Sequence, residues 1–161
     1  MKFLAERMLG RLAKWLRILG YDTVLEGRPD MEANLEELEK EDEPRVILTR
    51  RRKKPGPSQA YLLHSDDPME QLKEVVVTFR LTVDEAGIFS RCSVCNRALV
   101  AVSRAEVVGQ VPDYVLAGHG TFHRCPRCGR VYWPGSHLDR MKKWLAGVLE
   151  DDAENSLTSS K

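Results

Sequence analysis

The chain has 161 residues, of which 42% are hydrophobic and 30% charged, with a formal net charge of +1. That length makes one domain or two small ones, the apolar fraction excludes wholesale disorder, and charges that nearly cancel leave any attraction for a polyanion to local patches. No apolar run reaches the ~20 residues of a membrane-spanning helix, and Glu6 and Arg7 interrupt the N-terminal apolar stretch before a secretory core forms, so the expectation is a cytoplasmic protein with no membrane partner.

Residues 2–5 read as a short apolar strand. Leu9, Leu12, Leu16 and Leu19 recur at helical spacing, with Met8, Ala13 and Trp15 on the same broad face. Gly20 is placed to end that helix as a left-handed cap. Residues 22–25 form a second strand. The turn Gly27-Arg28-Pro29-Asp30 follows, with Asp30 as a helix cap, and leads into an acidic helix over 31–43 that Pro44 stops. Val46-Ile47-Leu48-Thr49 is a strand of the buried, parallel type. Five consecutive cations, Arg50 to Lys54, then run into the Pro55-Gly56-Pro57 loop before a strand over 60–64. Asp67-Pro68-Met69-Glu70 starts a helix with a cap, a proline at the first position and a glutamate at the capping-box position. Met69, Leu72, Val75, Val76 and Phe79 line one face of it. This alternation predicts an α/β domain over 1–84, with a small, largely parallel sheet flanked by helices and joined by right-handed crossovers. A second unit over 85–149 carries all four cysteines and a last helix, capped by Ser136 with Leu138, Met141, Leu145 and Val148 inward. Residues 150–161 are polar and expected to be disordered.

Cys92-Ser93-Val94-Cys95 and Cys125-Pro126-Arg127-Cys128 are two Cys-x-x-Cys turns. Without an export signal they read as a metal site rather than as disulfides. Each turn offers two thiolates to one ion, and two turns close the tetrahedral shell of a structural Zn²⁺, in the layout of a zinc ribbon. Gly129 follows the second pair and suits the positive φ such a turn takes. His119, His123 and His137 flank the site, but four thiolates suffice.

In a parallel sheet, ligands bind beyond the carboxyl ends of the strands. Glu6 follows the first strand, Asp30 and Glu32 open the second helix, Arg51 follows the third strand, and Asp66 and Asp67 follow the fourth. Acids converging there suit Mg²⁺ or Mn²⁺, which activates water and holds a phosphodiester. Each acid also has a plainer reading: Glu6 as a solvated helix-start charge, Asp30 and Asp67 as caps, Asp66 as a loop acid. Arg7, Arg11 and Lys14 share a stripe of the first helix, with Arg17 at its border. With Arg50, Arg51, Arg52 and Lys53 they make a phosphate-binding rim beside Glu6, suited to sequence-independent nucleic-acid contact. Tyr132 and Trp133 are candidates for base stacking. The alternative is a solvated surface, its cationic run neutralised by the acidic helix.

The segment from Phe3-Leu4-Ala5-Glu6-Arg7-Met8-Leu9 to Trp15-Leu16-Arg17, with Gly20-Tyr21-Asp22-Thr23, resembles the opening of the Mut-seven C-terminal ribonuclease family. Ile47-Leu48-Thr49-Arg50, Ser65-Asp66-Asp67-Pro68 and Arg124-Cys125-Pro126-Arg127-Cys128-Gly129-Arg130-Val131-Tyr132-Trp133 are similar too, and the likeness runs over nearly all of 2–145. It implies a PIN-like fold followed by a zinc ribbon, RNA as partner, and hydrolysis through acid-bound Mg²⁺ or Mn²⁺; the acids present for it are Glu6, one of Asp30 or Glu32, and one of Asp66 or Asp67, and Glu6, Asp30 and Asp66 are the expected set. Two positions depart from the family pattern. Glu6 stands where an aspartate is usual, which keeps the charge. Arg51 stands where the family's Thr-Arg-Asp has its acid, and a cation there repels a metal ion. Two functions follow as expectations: an RNA-binding, metal-dependent ribonuclease, or a non-catalytic RNA-binding or protein-interaction module that has lost one metal-binding acid.

Overall fold

The computed structural model describes residues 1–27, 44–51, 60–82, 87–135 and 139–148. The expected acidic helix with Asp30, the cations Arg52 and Lys53, and the 150–161 tail lie outside the described residues.

Four short strands, β1 (Lys2–Ala5), β2 (Asp22–Leu25), β3 (Val46–Thr49) and β4 (Ala60–Leu62), form a sheet in the order β2-β1-β3-β4. All three pairings are parallel: Phe3 lies between Thr23 and Val46, and Leu48 between Ala5 and Tyr61. The first three strands have their expected limits, because each is an apolar run closed by a charge or a turn. The fourth is shorter than expected. Leu63 still donates its N–H to the Thr49 carbonyl, but His64 donates instead to the Glu74 carboxylate at 3.1 Å and leaves the ladder.

Helix α1 (Gly10–Ile18) packs on helix α2 (Pro68–Thr78). Leu9, Leu12, Ala13, Leu16 and Leu19 are buried in a core with Phe3, Leu48, Leu72, Val75 and Val76. Met8, expected on that apolar face, is exposed. A 3₁₀ turn over Arg7–Leu9 precedes the α-helix, and its tighter winding carries Met8 off the inward stripe. Asp67 caps α2 as expected, accepting from the N–H groups of Met69 (2.8 Å) and Glu70 (3.0 Å). The capping-box return bond comes from a different residue: Ser65 Oγ accepts the Asp67 N–H at 3.1 Å. Phe79 stands edge-on to both Phe3 and Tyr61.

Between the two halves the chain adds an antiparallel sheet of β5 (Val100–Val102), β6 (Phe122–Arg124) and β7 (Val131–Tyr132), ordered β5-β6-β7, and a short helix α3 (Asp113–Gly118). Its core is small: Val107, Val111, Val115 and Phe122. The last helix, α4 over 139–148, sends Met141, Leu145 and Val148 into the first core, the one that holds Phe3 and Leu12. The chain therefore returns to the α/β half after the cysteines. Among the described residues no helix is long and apolar enough to cross a membrane.

The cysteine-bearing half is locked onto the β2 side of the sheet. Gly20 has φ +94°, as its position predicts, and a Cβ there would lie 2.3 Å from the Gly87 carbonyl oxygen. Only glycine meets both the backbone angle and the close approach. The Phe89 N–H donates to the Ile18 carbonyl at 2.9 Å. Asp22 is a charged hub: Oδ1 accepts from Arg45 (2.6 Å) and Asn96 (2.8 Å), and Oδ2 is 3.4 Å from Arg91. Burial opposes ionisation of Asp22, but hydrogen bonds from Arg45 and Asn96 and the charges of Arg45 and Arg91 win, holding its carboxyl below the ordinary 3.8. A carboxyl depressed in the folded state adds stability that is present above the unfolded value and is lost as pH falls through the folded one. Asp22→Asn is therefore expected to destabilise the protein at neutral pH and to flatten the decline in stability below about pH 4. Urea denaturation across pH 3–7 measures both; an acid limb unchanged by the substitution removes Asp22 from this role.

Candidate functional site

Each Cys-x-x-Cys turn is a closed backbone knuckle. Cys92 N–H donates to the Arg97 carbonyl and Asn96 N–H to Cys92; Cys125 N–H donates to Arg130 and Gly129 N–H to Cys125. Asn96 (φ +60°) and Gly129 (φ +73°) occupy the same left-handed position after the second cysteine of each turn. Gly129 is the residue expected there, and Asn96 fills its counterpart because asparagine tolerates that region best among side-chain-bearing residues. The knuckles face each other, and the four Sγ atoms all lie within 4.8 Å of one another. Cys92 Sγ is 3.8 Å from Cys128 Sγ, too far for a disulfide. Bonds of ~2.3 Å to a tetrahedral zinc give an S···S edge of ~3.8 Å, so the spacing fits such an ion.

Electrostatics favour a cation at this point. Burial works against ionisation of Cys92, yet the Tyr132 hydroxyl at 3.1 Å and the N–H groups of Cys95 and Val94 bring its thiol down to about 7. Burial together with the neighbouring sulfurs pushes Cys95 up to about 12. Several thiolates share so small a space only when a positive ion compensates them. The residues present are thus a fitting donor set for a metal ion. Tyr132, a candidate for base stacking, instead commits its hydroxyl to this site and its ring to Phe89.

The second candidate region is the carboxyl edge of the parallel sheet. In the order β2-β1-β3-β4 the chain winds one way from β1 to β2 and the other way from β3 to β4. The gap between the ends of β1 and β3 is therefore the topological switch point, where open α/β sheets take ligands. Glu6 sits there. Its N–H donates to the Leu48 carbonyl at 3.1 Å and its side chain is 2% exposed, not solvated at a helix start. Across the gap Thr49 is buried and its Oγ accepts the Arg51 N–H at 3.0 Å. That bond aims Arg51 back at the acid, with Nε 3.8 Å from Glu6 Oε2. Asp66 lies at the far rim, 95% exposed and ion-paired with Arg50. Among the described residues no three carboxylates gather at one point, so these acids do not by themselves close a site for Mg²⁺ or Mn²⁺. Glu26, which the sequence reading passed over, stands next to Glu6: its N–H continues the ladder to the Ala5 carbonyl at 2.9 Å.

Arg7, Arg11 and Lys14 are all exposed along the stripe expected of them. A Cβ at Gly27 would lie 3.7 Å from the Arg7 Cδ, which places Arg7 at the carboxyl end of β2. Arg17 departs from the stripe and is buried, 2% exposed. Its Nε donates to the Thr23 carbonyl (2.8 Å) and its Nη1 to the carbonyls of Ser93 (3.2 Å) and Val94 (3.1 Å), inside the first knuckle. The available signal was its place one turn after Ala13, on the inward face. Asn96 ties the same knuckle to β2 by accepting the Thr23 N–H on its Oδ1 at 3.0 Å.

Comparison with curated proteins finds no match, and comparison with solved structures finds none either. The model of the Mut7-C RNAse domain matches residues 1–145, a span that takes in the parallel sheet, both knuckles and most of the last helix. A parallel α/β sheet with an acid at its switch point, joined to a four-cysteine cluster, is carried by that whole stretch, and the chain belongs to the Mut7-C RNAse domain family.

Proposed function

We propose that this protein binds RNA across the carboxyl edge of its parallel sheet and hydrolyses phosphodiester bonds there as a metal-dependent ribonuclease, with the four thiolates holding a structural Zn²⁺. The observation that carries the reading is Glu6, a carboxylate buried at the switch point of a chain in a ribonuclease domain family. Burying a carboxylate is costly unless a positive partner compensates it. Arg7 by Gly27 and Arg50 directly after β3 put positive charge at that edge, and Arg11 and Lys14 continue it along α1, charge that suits a phosphate backbone; Arg52 and Lys53 extend the cationic run in sequence. Mg²⁺ or Mn²⁺ is the cation class that such an acid recruits, with Asp30 and Asp66 as the other candidate ligands. Arg51 does not preclude this: at 3.8 Å its contact with Glu6 is longer than a hydrogen bond, and its side chain is 57% exposed, so it has room to swing away.

The same ion pair favours a second reading, in which Arg51 has replaced the metal and the protein binds RNA without cutting it. Labelled RNA incubated with the zinc-loaded protein in Mn²⁺ separates the two. Cleavage is expected from the wild type, with a loss of about 100-fold or more from Glu6→Gln; Mn²⁺-dependent cleavage gained by Arg51→Asp supports the reading in which an acid has been lost. Cleavage that survives Glu6→Gln sinks the first reading, and tight, salt-sensitive binding with no cleavage establishes the second.

A further inference from the structure

We propose that the crevice between α1 and the cysteine knuckles is a track for single-stranded RNA that leads from the carboxyl edge of the sheet to Trp133. The inference rests on the RNA-binding reading above and adds to it the strandedness of the ligand and a route. Two cavities of about 430 Å³ each carry the argument. The first has Gly10 and Leu25 at the sheet edge and Lys14 and Arg130 on its sides. The second continues past Arg130 and Gly129 to Trp133. Ser93 and Arg130 line both, so the two cavities adjoin at these residues. Each volume lies in the range that takes a small-molecule-sized group such as one nucleotide.

The chemistry along the groove follows the chemistry of a strand. None of the described residues lining it is acidic. Lys14 and Arg130 are exposed cations on opposite sides of the first cavity, placed for successive phosphates. Trp133 is half-buried: it packs against the small core of Val107, Val111, Val115 and Phe122 on one side and lines the second cavity on the other. A Cβ on Gly135 would stand 3.3 Å from its Nε1, so the following chain braces the indole. A braced aromatic face at the end of a cationic groove stacks an unpaired base, whereas paired bases in a duplex are not available to it. Tyr132 lines the same cavity, with its hydroxyl held at Cys92 and its ring tilted against Phe89.

The test is fluorescence anisotropy with labelled oligouridines of 4, 8 and 12 nucleotides and a 12-base-pair RNA duplex, using the full zinc-loaded chain. Wild type is expected to bind the 12-mer more tightly than the 4-mer, and more tightly than the duplex. Trp133→Ala should weaken the 12-mer about 5- to 100-fold with the salt slope unchanged. Arg130→Ala should lower the slope of log K against log salt by about 0.7. Both should leave the 4-mer close to wild type. Trp133→Phe keeps a stacking face in the core, so it should retain most of the 12-mer affinity and guards against a folding defect in the alanine variant. If both variants bind every length as wild type does, or if the duplex binds as tightly as the single strand, the track is wrong while RNA binding stands. If no oligonucleotide binds, the RNA reading itself fails and the track fails with it.

Discussion

Stripping the metal from the four cysteines is expected to unfold residues 90–135 and to lower the stability of the parallel sheet with them. The reason is the size of the second core. Val107, Val111, Val115 and Phe122 are its buried members, too few to hold three strands of two or three residues each. Closed four-thiolate zinc sites supply on the order of 10 kcal/mol or more of folding free energy, so a zinc ion held by these cysteines, as proposed, would be the dominant stabiliser of this half. The effect should spread, because the first knuckle is part of the edge of the sheet. Asn96 pairs with Thr23 and Asp22, and Arg17 reaches from α1 into the knuckle carbonyls. Hydrogen exchange before and after chelation should show protection lost over 90–132 and reduced over β2 and the end of α1. Cys125→Ser should behave like chelation. Equal melting temperatures with and without chelator, with release of zinc verified, would contradict the assignment.

Arg17→Met is expected to cost ~1–3 kcal/mol, the range for buried hydrogen-bonding groups left without their partner. The side chain is 2% exposed, and its guanidinium donates to the carbonyls of Thr23, Ser93 and Val94. Methionine keeps much of the volume but removes the donor: the buried Thr23 carbonyl loses a partner without regaining water, and the part-buried Ser93 and Val94 carbonyls at the groove lose their tie to α1. Arg17→Lys should not rescue: one ammonium cannot span β2 on one side and the knuckle on the other, as the planar fork of a guanidinium does. Urea denaturation should show a lower midpoint for both variants, and zinc should be released at lower urea concentration than from wild type. A lysine variant as stable as wild type would show that charge alone, rather than the two-sided bridge, is what the site requires.

Local patterns in the chain were enough for much of the architecture. The limits of β1, β2 and β3 are short apolar runs closed by turn or charged residues, and they do not depend on their neighbours. Asp67 caps α2 through bonds to Met69 and Glu70 two and three residues on, so its role is visible in four letters. The two Cys-x-x-Cys turns announce a shared ion because ligand spacing is a property of the knuckle itself. Other features were not visible, because they depend on what docks where. Met8 is exposed since one 3₁₀ turn shifts the helical phase. Tyr132 reaches the thiolate site with its hydroxyl. Asp66 turns outward to Arg50, while Glu6 is enclosed and faces Arg51; in sequence both are simply acids after strands.

Arg17 marks the boundary between the two kinds of information. By itself the sequence determined that α1 is a helix with an apolar stripe, that four thiols can share an ion, and that cations cluster near both, since these follow from periodicity and spacing within a few residues. Only the tertiary structure decided that Arg17 is a buried strut while Arg7, Arg11 and Lys14 stay in solvent, and that the knuckle closes on β2 to leave a groove beside Lys14 and Arg130. A charged side chain three or four residues from another on one helix has the same local propensity in water and in a core. Whether it is buried is settled by carbonyls that arrive from more than seventy residues away.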